Sequence, residues 1–306
     1  MQAGVWKHIL CPVDFSETSG LGLRYAGAFA RCSQARLTML YADRFEPPPY
    51  FTKGQIDQLM RQCRDCKAQA ERRIHEFVQA EFGPDSLEIE ARVVEGYPAE
   101  SIIRTSGELS ADLIVMGTHG RSGLTHWTLG SVTERVLGET QIPLLAVRPP
   151  MTPPPPSLAI RNILCPVNDT PVARGALGYG TALGRCFSAR VTVLHVREKG
   201  GSRGIESLGT WIPGPDRAGS ELRPLYREGE AAREIVAAAS EPGCDLIVIG
   251  AHQSTFFGEK VLGTTTVRVV RHAPCPVLSV SFQCPERRDI SPKARGLEAP
   301  LGASGS

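Results

Sequence analysis

The sequence predicts an α/β fold of two tandem, doubly wound domains, each with a mainly parallel five-stranded sheet and helices on both faces. Three observations lead to this prediction. Strand-like and helix-like patterns alternate along the chain, as they do in βαβ units. Apolar runs such as Leu113-Ile-Val-Met116 are suited to strands that are buried on both faces, which is typical of parallel sheets. The whole pattern also occurs twice.

Two pairs of matching segments define the repeat. His8–Asp14 (HILCPVD) recurs as Asn162–Asn168 (NILCPVN), 154 residues later. Asp112–Gly117 (DLIVMG) recurs as Asp245–Gly250 (DLIVIG), 133 residues later. The offsets differ by 21 residues, so the second copy is shorter between its second and third strands. This difference predicts that the second copy lacks the long second helix of the first.

Local signals justify each element in order. An apolar run that ends at a polar residue predicts the first strand, and Ser16 is a suitable N-cap for the first helix. Apolar residues at helical spacing predict a long second helix, and short apolar runs predict the other strands. The predicted elements of the first copy are strand His8–Val13, a helix after Ser16, strand Leu37–Ala42, helix Gly54–Phe82, strand Leu87–Val94, helix Pro98–Leu109, strand Asp112–Met116, helix Ser131–Gly138 and strand Pro143–Val147. In the second copy, Thr170 and Pro171 supply an N-cap and a first-turn proline.

The repeat and the composition together predict the domain boundaries. We expect a first domain at residues 1–148, a proline-rich linker at 149–159, a second domain at 160–282 and a disordered tail at 283–306. Consecutive prolines in the linker fix φ and remove backbone donors, which favours an extended polyproline spacer. The tail loses the apolar pattern of the domains.

Charge and hydropathy exclude several classes of protein. The 306 residues carry 34 Lys and Arg against 32 Asp and Glu, a formal net charge of +2. This near balance argues against a protein that binds nucleic acid mainly through the phosphate backbone. No apolar run approaches the roughly 18 residues of a membrane helix, and the first residues do not resemble a signal peptide. We therefore expect a cytoplasmic protein without a membrane or nucleic-acid partner.

The nine cysteines predict buried, reduced thiols more readily than a disulfide framework, because disulfide-rich domains are usually short and secreted. Cys63-x-x-Cys66 is the spacing that most resembles a metal motif. A structural zinc site needs four ligands, and only His75 is near in sequence. We therefore expect these two cysteines to pack along a helix, and we assign no metal site.

A glycine-containing segment follows the buried strand of the first copy. Gly117 ends the strand, Gly120 lies in the predicted turn, and Gly130-Ser131 opens the next helix. Glycines allow backbone N–H groups to approach an anion, and a helix N-terminus supplies unpaired donors and a partial positive charge. The segment therefore suits a polyphosphate. Turn chemistry is the alternative, because Ser131 and Glu134 have the spacing of a capping box.

The spacing G-x2-G-x9-G-S after a D-L-I-V-M-G strand resembles the ATP-binding loop of the universal stress protein family, and Gly117, Gly120, Gly130 and Ser131 match it. The opening Ile9-Leu-Cys-Pro-Val-Asp14 resembles the first strand of the same family. The resemblance covers roughly residues 5–148 and 160–282. It implies a fold of the adenine nucleotide alpha hydrolase-like type.

The resemblance also implies a ligand and a set of site residues. The ligand is ATP, together with Mg²⁺. Asp14 and Ala42 would line the adenine and ribose pocket. The residues that would surround the triphosphate are Gly117, His119, Gly120, Gly130, Ser131 and Val132. His119 has a second interpretation, as a loop histidine without a task. No catalytic residue is assigned.

The second copy departs from this pattern. Gln253 stands where the second glycine is expected, and Asn168 replaces the aspartate. A side chain at residue 253 would project where the backbone should approach phosphate. We therefore expect a degenerate second site and one ATP per chain.

These features favour a cytoplasmic, ATP-binding stress-response or signalling protein in which the nucleotide is a regulatory ligand. One alternative is a slow ATPase or nucleotidyl-transfer enzyme on the same fold, and another is a ligand-free scaffold. The sequence contains no G-x4-G-K-[ST] motif and no obvious carboxylate pair for two metals, so we do not expect an enzyme, although weak ATP hydrolysis stays open.

The last strands of the two copies should pair with each other. Pro143–Val147 and Pro276–Val280 are short and apolar, and each would otherwise leave an open sheet edge. The resemblance to the universal stress protein family implies dimerisation through this strand, and the polyproline spacer is long enough to permit the same pairing within one chain. We therefore expect an internal pseudo-dimer, while a homodimer of whole chains is left open.

Overall fold

A computed structural model describes residues 5–43, 52–82, 88–119, 129–149, 158–197, 222–241, 243–251, 253–256 and 259–281. Most of the predicted linker, the predicted tail and the segment 198–221, in which the second copy is expected to lack the long second helix, lie outside these ranges. The domain boundaries at 148 and 160 therefore stay predictions. Among the helices in the described ranges, none combines the length and the apolar character needed to cross a membrane.

The first half of the chain contains every element that the sequence predicts, with bounds that agree within two residues. Its elements are β1 His8–Pro12, α1 Glu17–Ser33, β2 Arg36–Asp43, α2 Lys53–Phe82, β3 Ile89–Glu95, α3 Pro98–Glu108, β4 Leu113–Gly117, α4 Ser131–Glu139 and β5 Leu144–Val147.

The second half repeats this order over its described residues and adds a short hairpin. Its elements are β6 Asn162–Val167, α5 Pro171–Phe187, β7 Arg190–Arg197, β8 Leu222–Glu228, α6 Ala231–Ser240, β9 Leu246–Ala251, β10 Gln253–Phe256, β11 Glu259–Leu262, α7 Thr264–His272 and β12 Val277–Ser281. Strands β10 and β11 form a separate antiparallel pair, which the sequence did not predict.

The ten other strands form one continuous sheet in the order β3-β2-β1-β4-β5-β12-β9-β6-β7-β8. Within each half all neighbouring strands are parallel. Strand β1 lies between β2 and β4, so the chain winds outward in both directions from the centre of its half. The doubly wound α/β prediction is confirmed, and the two five-stranded sheets are joined.

The join is an antiparallel pair between β5 and β12, in which Leu145 faces Leu278. The predicted pairing of the last strands is therefore confirmed. The ring of Trp6, before β1, stacks on that of Tyr179 on α5, with centroids 4.8 Å apart. Aromatic stacking and strand pairing thus hold the two halves together.

Helix caps and two partly buried carboxylates explain several motif residues. The Ser16 hydroxyl caps α1 by accepting from the Ser19 N–H at 3.2 Å, and Thr170 caps α5 in the same way. The Asp112 carboxylate accepts from the backbone N–H groups of Lys7 and His8, at 2.8 and 3.0 Å. In the second half, the Asp245 carboxylate accepts from the backbone N–H groups of Arg161 and Asn162 at the start of β6. The aspartate of each D-L-I-V motif therefore ties together the amino ends of two central strands, away from any site at their carboxyl ends.

The prediction of reduced cysteines is confirmed for four residues and wrong for two. Cys11, Cys165 and Cys275 are buried free thiols, and Cys244 is a partly buried one. Cys32 and Cys186 form a disulfide. Sequence spacing could not reveal this pair, because only the packing of α1 against α5 brings the two residues together. The side chains of Cys63 and Cys66 lie outside the described part of the chain, so their packing role stays a prediction.

Candidate functional site

A cavity of about 270 Å³ opens at the carboxyl ends of β1, β2 and β4. The order of the strands reverses between β1 and β4, because β1 leads to β2 on one side while β4 leads to β5 on the other. In open parallel sheets this switch point is the usual place for a ligand. The volume is just below the roughly 300–1,000 Å³ that small-molecule pockets span.

Most of the predicted site residues surround this cavity. Gly120 lies outside the described residues, so its place stays a prediction. The seven predicted residues that line the cavity are Asp14, Ala42, Gly117, His119, Gly130, Ser131 and Val132. Segments that are far apart in the sequence therefore meet at one site.

The turn after β1 positions Asp14. Its Oδ1 accepts hydrogen bonds from the Ser16 hydroxyl at 2.6 Å and from the Ser16 N–H at 3.1 Å. Between them, Phe15 has a left-handed backbone with φ of 61°, which is uncommon for a bulky residue. The Phe15 ring packs on Tyr41 and Phe77, with centroids 4.9 and 5.7 Å away. These contacts hold a strained turn and direct the carboxylate into the cavity wall.

The N-terminus of α4 forms another wall of the cavity. Gly130 is its N-cap, and no side chain caps the helix. Ser131 is the first helical residue, and the Glu134 carboxylate accepts a hydrogen bond from Arg271 at 2.6 Å. The capping box that the sequence offered as an alternative therefore does not form. The first N–H groups of α4 are left without a side-chain cap at the cavity, with the positive end of the helix dipole.

Packing supplies a second reason for two of the glycines. A Cβ on Gly117 would lie 2.8 Å from Thr18 Cγ2 and 3.2 Å from the Thr18 carbonyl carbon, so α1 could not approach β4 as it does. A Cβ on Gly130 would lie 2.9 Å from the Thr118 carbonyl oxygen, to which the Gly130 N–H donates at 2.7 Å. Both glycines are therefore required by the fold, whether or not phosphate binds.

His119 follows this turn and is partly buried. Its Nδ1 lies 2.8 Å from the Thr118 hydroxyl, and the Thr118 N–H donates to the Val147 carbonyl at 2.8 Å. These bonds anchor the segment that carries His119 to the end of β5. The imidazole is thus held at the cavity, a position that suits a polar contact with a ligand.

Sequence reasoning missed the apolar floor of the cavity. Leu40, Ile102 and Met116 line it, with Pro12, Val13 and Pro98 beside them. These residues have the pattern of ordinary core positions, so no sequence signal separates them from the rest of the core. Ser19, Tyr41 and Thr133 also line it. Among the described lining residues, Asp14 is the one carboxylate, and none is Lys or Arg.

The second half keeps much of this framework. The Thr170 hydroxyl donates to Asn168 at 2.7 Å, as Ser16 does to Asp14. Gly250 approaches α5 as Gly117 approaches α1, and Gly263 is an N-cap for α7 without a side-chain bond. The difference lies in the connecting segment, where Gln253 begins the β10–β11 hairpin. Strand β11 of this hairpin lies against α4 of the first half.

Comparisons with known proteins agree with this architecture. The model of the universal stress protein family matches residues 6–148 and 215–281. A universal stress protein from Thermus aquaticus is 31% identical over 147 residues, which cover 47% of this chain and 100% of that protein. One from Methanocaldococcus jannaschii is 29% identical over 147 residues, which cover 48% of this chain and 84% of that protein. Each of these proteins thus corresponds to about half of this chain.

A solved structure corresponds to nearly the whole chain. It is the crystal structure of a universal stress protein from Archaeoglobus fulgidus, and it covers 92% of this chain and 99% of its own. The TM-score is 0.68 at 23% identity, which shows a shared fold. Since the family model matches more than half of the chain, and the Thermus aquaticus protein matches over its full length, this chain belongs to the universal stress protein family.

Proposed function

We propose that the first half binds one ATP, with Mg²⁺ on its phosphates, as a regulatory ligand in a cytoplasmic stress-response protein. The observation that carries this proposal is the uncapped N-terminus of α4, which faces the same cavity as the Asp14 carboxylate. The helix end attracts an anionic group, and the carboxylate accepts hydrogen bonds from neutral hydroxyls. A nucleotide carries both kinds of group, in its phosphates and in its ribose.

The nucleoside end of the cavity is the floor between β1, β2 and α3. Leu40, Ile102 and Met116 supply apolar surface that suits a flat base. The carboxylate of Asp14 accepts hydrogen bonds, so it suits the ribose hydroxyls. Ala42, with its small side chain at the end of β2, leaves room for the base.

The phosphate end is the start of α4. Backbone N–H groups of residues 131–133 and the helix dipole favour negative charge there. The helix end offers only about half an elementary charge, so a triphosphate needs a further cation to balance its own charge. Mg²⁺ fits this need, since it binds mainly to phosphate oxygens and water with one or two protein oxygens. Ser131, the first residue of α4, is exposed, and its hydroxyl is one protein oxygen that suits such an ion.

The same composition supports a regulatory ligand over a substrate. Phosphoryl transfer requires cationic stabilisation of the transition state and an oriented nucleophile. Within the described lining, His119 is the one imidazole, and it is engaged with Thr118. We therefore propose that any hydrolysis of ATP is orders of magnitude slower than the roughly 10 s⁻¹ of a typical enzyme.

Calorimetry on the full chain tests the binding proposal. ATP with Mg²⁺ should bind at one site per chain. The affinities of ADP, AMP and cyclic AMP, compared with that of ATP, show which phosphate groups contribute to binding. Ala42→Phe should fill the cavity and abolish binding, whereas Val196→Phe, at the same position of the second copy, should leave it intact. No binding of any of the four nucleotides, or a stoichiometry near two that Ala42→Phe does not reduce, would overturn the proposal.

A steady-state phosphate-release assay tests the regulatory role. The parent chain should release phosphate no faster than Ala42→Phe, because a trace contaminant would be equal in both preparations. Turnover of several per second that is lost in Ala42→Phe would instead favour the enzyme alternative.

A further inference from the structure

The disulfide between Cys32 and Cys186 joins equivalent positions of the two copies. The residues are 154 apart, which is the offset that relates β1 to β6. Cys32 lies in the last turn of α1 and Cys186 in the last turn of α5. Their Cα atoms are 5.8 Å apart, within the range of about 4.4–6.8 Å that disulfides require. A two-fold relation between the halves thus brings each cysteine to its own counterpart.

Other contacts hold the two helices together without this bond. Phe29 on α1 lies next to Phe187 on α5, with ring centroids 5.4 Å apart. Trp6 stacks on Tyr179, and β5 pairs with β12. The two sulfur atoms would therefore stay close if the bond were reduced. A pair that is held in place in both states can be broken and formed again without refolding of the chain.

Accessibility distinguishes this pair from the three buried free thiols, Cys11, Cys165 and Cys275, whereas Cys244 is partly buried as the pair is. Cys32 and Cys186 are both partly exposed. Cys11 and Cys165 are fully buried, and burial raises the pKa of each thiol, that of Cys11 to about 12. Since the thiolate is the reactive form and the reagent must reach it, the buried thiols should be inert.

We propose that Cys32 and Cys186 form a reversible oxidation site, at which a hydroperoxide converts two thiols to a disulfide that fastens α1 to α5. One thiolate attacks the peroxide oxygen, the O–O bond breaks, and the products are a sulfenic acid and water or an alcohol. The second thiolate then attacks the sulfenic sulfur, the S–S bond forms, and water leaves. The two sulfur atoms are oxidised by two electrons, and the peroxide is reduced.

The reverse step uses a dithiol. Its thiolate attacks one sulfur of the disulfide, and its second thiol resolves the mixed disulfide, which leaves Cys32 and Cys186 reduced and the dithiol oxidised. In a reducing compartment, disulfides are usually transient and responsive to oxidant. The oxidised form should resist unfolding, because the bond closes a long loop in the unfolded chain. This proposal does not depend on nucleotide binding.

Peptide mapping of the full chain tests the bond itself. Trypsin cleaves after Arg31, Arg36, Arg185 and Arg190, so it releases Cys-Ser-Gln-Ala-Arg (32–36) and Cys-Phe-Ser-Ala-Arg (186–190), each with a single cysteine. The chain is reduced with dithiothreitol, desalted, treated with hydrogen peroxide and alkylated before digestion. The linked pair of peptides should appear after peroxide and disappear after dithiothreitol. Absence of the linked pair after peroxide would overturn the proposal.

Thermal melting of matched variants tests whether the disulfide stabilises the chain. The oxidised parent should melt roughly 5 °C or more above the reduced parent. This difference should vanish in Cys32→Ser and in Cys186→Ser. Cys244→Ser is the control, because Cys244 is also only partly buried and lies 3.7 Å from the sulfur of Cys275. A difference that persists in Cys32→Ser, or that vanishes in Cys244→Ser alone, would assign the response to other thiols and contradict the proposal.

Discussion

Leu145 and Leu278 face each other across the antiparallel β5–β12 pair, and they occupy the same position of the repeated unit. Both side chains are fully buried. A pseudo-two-fold axis therefore passes between them, so one chain reproduces the self-complementary interface of a symmetric dimer. The pairing removes the open edge of each half-sheet, which would otherwise offer unpaired backbone groups to other chains.

The first prediction concerns this junction. Leu145→Ala should lower the free energy of unfolding by about 2–5 kcal/mol, because it leaves a cavity in a fully buried site. It should also loosen the two halves below the melting temperature. We expect faster protease cleavage within residues 149–157, measured by limited proteolysis at a temperature where the parent is stable.

Leu113→Ala is the matched control for this experiment. Leu113 is as buried as Leu145, but it lies on β4 opposite Ile9 within the first half. It should lower the melting temperature without selective cleavage in the linker. Equal cleavage of the two variants would show that the junction does not restrain the linker.

The sequence predicted the fold well because its signals are local or repeated. Each strand and helix of the first half could be located from apolar runs, N-caps and prolines such as Pro98. The repeat then supplied the second half, and the edge-strand argument supplied the pairing of Leu144–Val147 with Val277–Ser281. These features depend on patterns within a few residues, or on two patterns being alike.

The parts that could not be predicted depend on contacts between distant residues. The Cys32–Cys186 bond and the left-handed backbone at Phe15, whose ring packs on Tyr41 and Phe77, are of this kind. The candidate site was located through its glycines, yet packing against Thr18 and Thr118 explains two of them as well. Apolar floor residues such as Ile102 have no sequence signal that separates them from the core.

The second prediction compares a glycine that close packing requires with a helical glycine that has space for a side chain. Gly117→Ala should destabilise the chain by about 1–3 kcal/mol, because its Cβ would meet Thr18 at 2.8 Å. Gly138→Ala, on α4 with open space around its Cα, should stabilise it by about 0.5–1 kcal/mol through helix propensity. Urea denaturation without nucleotide measures both values. Similar effects of the two substitutions would argue against the close approach of α1 to β4.

The third prediction concerns alkaline pH. Burial, reinforced by nearby Cys275 and Asp245 of the second half, raises the pKa of Tyr25 to about 12, above its ordinary value near 10. Above pH 10 the unfolded chain therefore releases a proton that the folded chain retains. The stabilisation is fully present below pH 10 and is lost as the pH rises to 12, by roughly 2–3 kcal/mol.

Substitution of phenylalanine tests this contribution. Tyr25→Phe should flatten the loss of stability between pH 10 and 12, as measured by urea unfolding at each pH. Tyr97→Phe is the control, because Tyr97 is 45% exposed. If both variants retain the slope of the parent, the loss must come from other groups.

The fourth prediction links the second half to the candidate site. Arg271 on α7 donates to Glu134, which lies in the first turn of α4, at 2.6 Å. In Arg271→Gln the Glu134 carboxylate loses its partner next to the helix end that we propose as the phosphate site. The affinity for ATP should fall about two- to fivefold at low salt and recover at high salt.

A double variant provides the decisive comparison. Glu134→Gln together with Arg271→Gln removes the repulsion, so its affinity should return to that of the parent. Calorimetry at two salt concentrations measures the three proteins. An affinity that stays low in the double variant would indicate that Arg271 acts through structure and not through the charge of Glu134.

The last prediction concerns the carboxylate of Asp14. Asn168 occupies the same position in the second copy and accepts the same hydroxyl bond, from Thr170 at 2.7 Å. Asp14→Asn should therefore keep the turn intact while it removes the negative charge that would accept from the ribose. A hydrogen bond to a charged group contributes about 1.5–3 kcal/mol, so ATP should bind roughly 10- to 100-fold more weakly. Asn168→Asp is the reciprocal control and should leave both the affinity and the stoichiometry of ATP unchanged. If Asp14→Asn binds ATP as the parent does, or if Asn168→Asp weakens binding equally, then Asp14 does not contact the nucleoside.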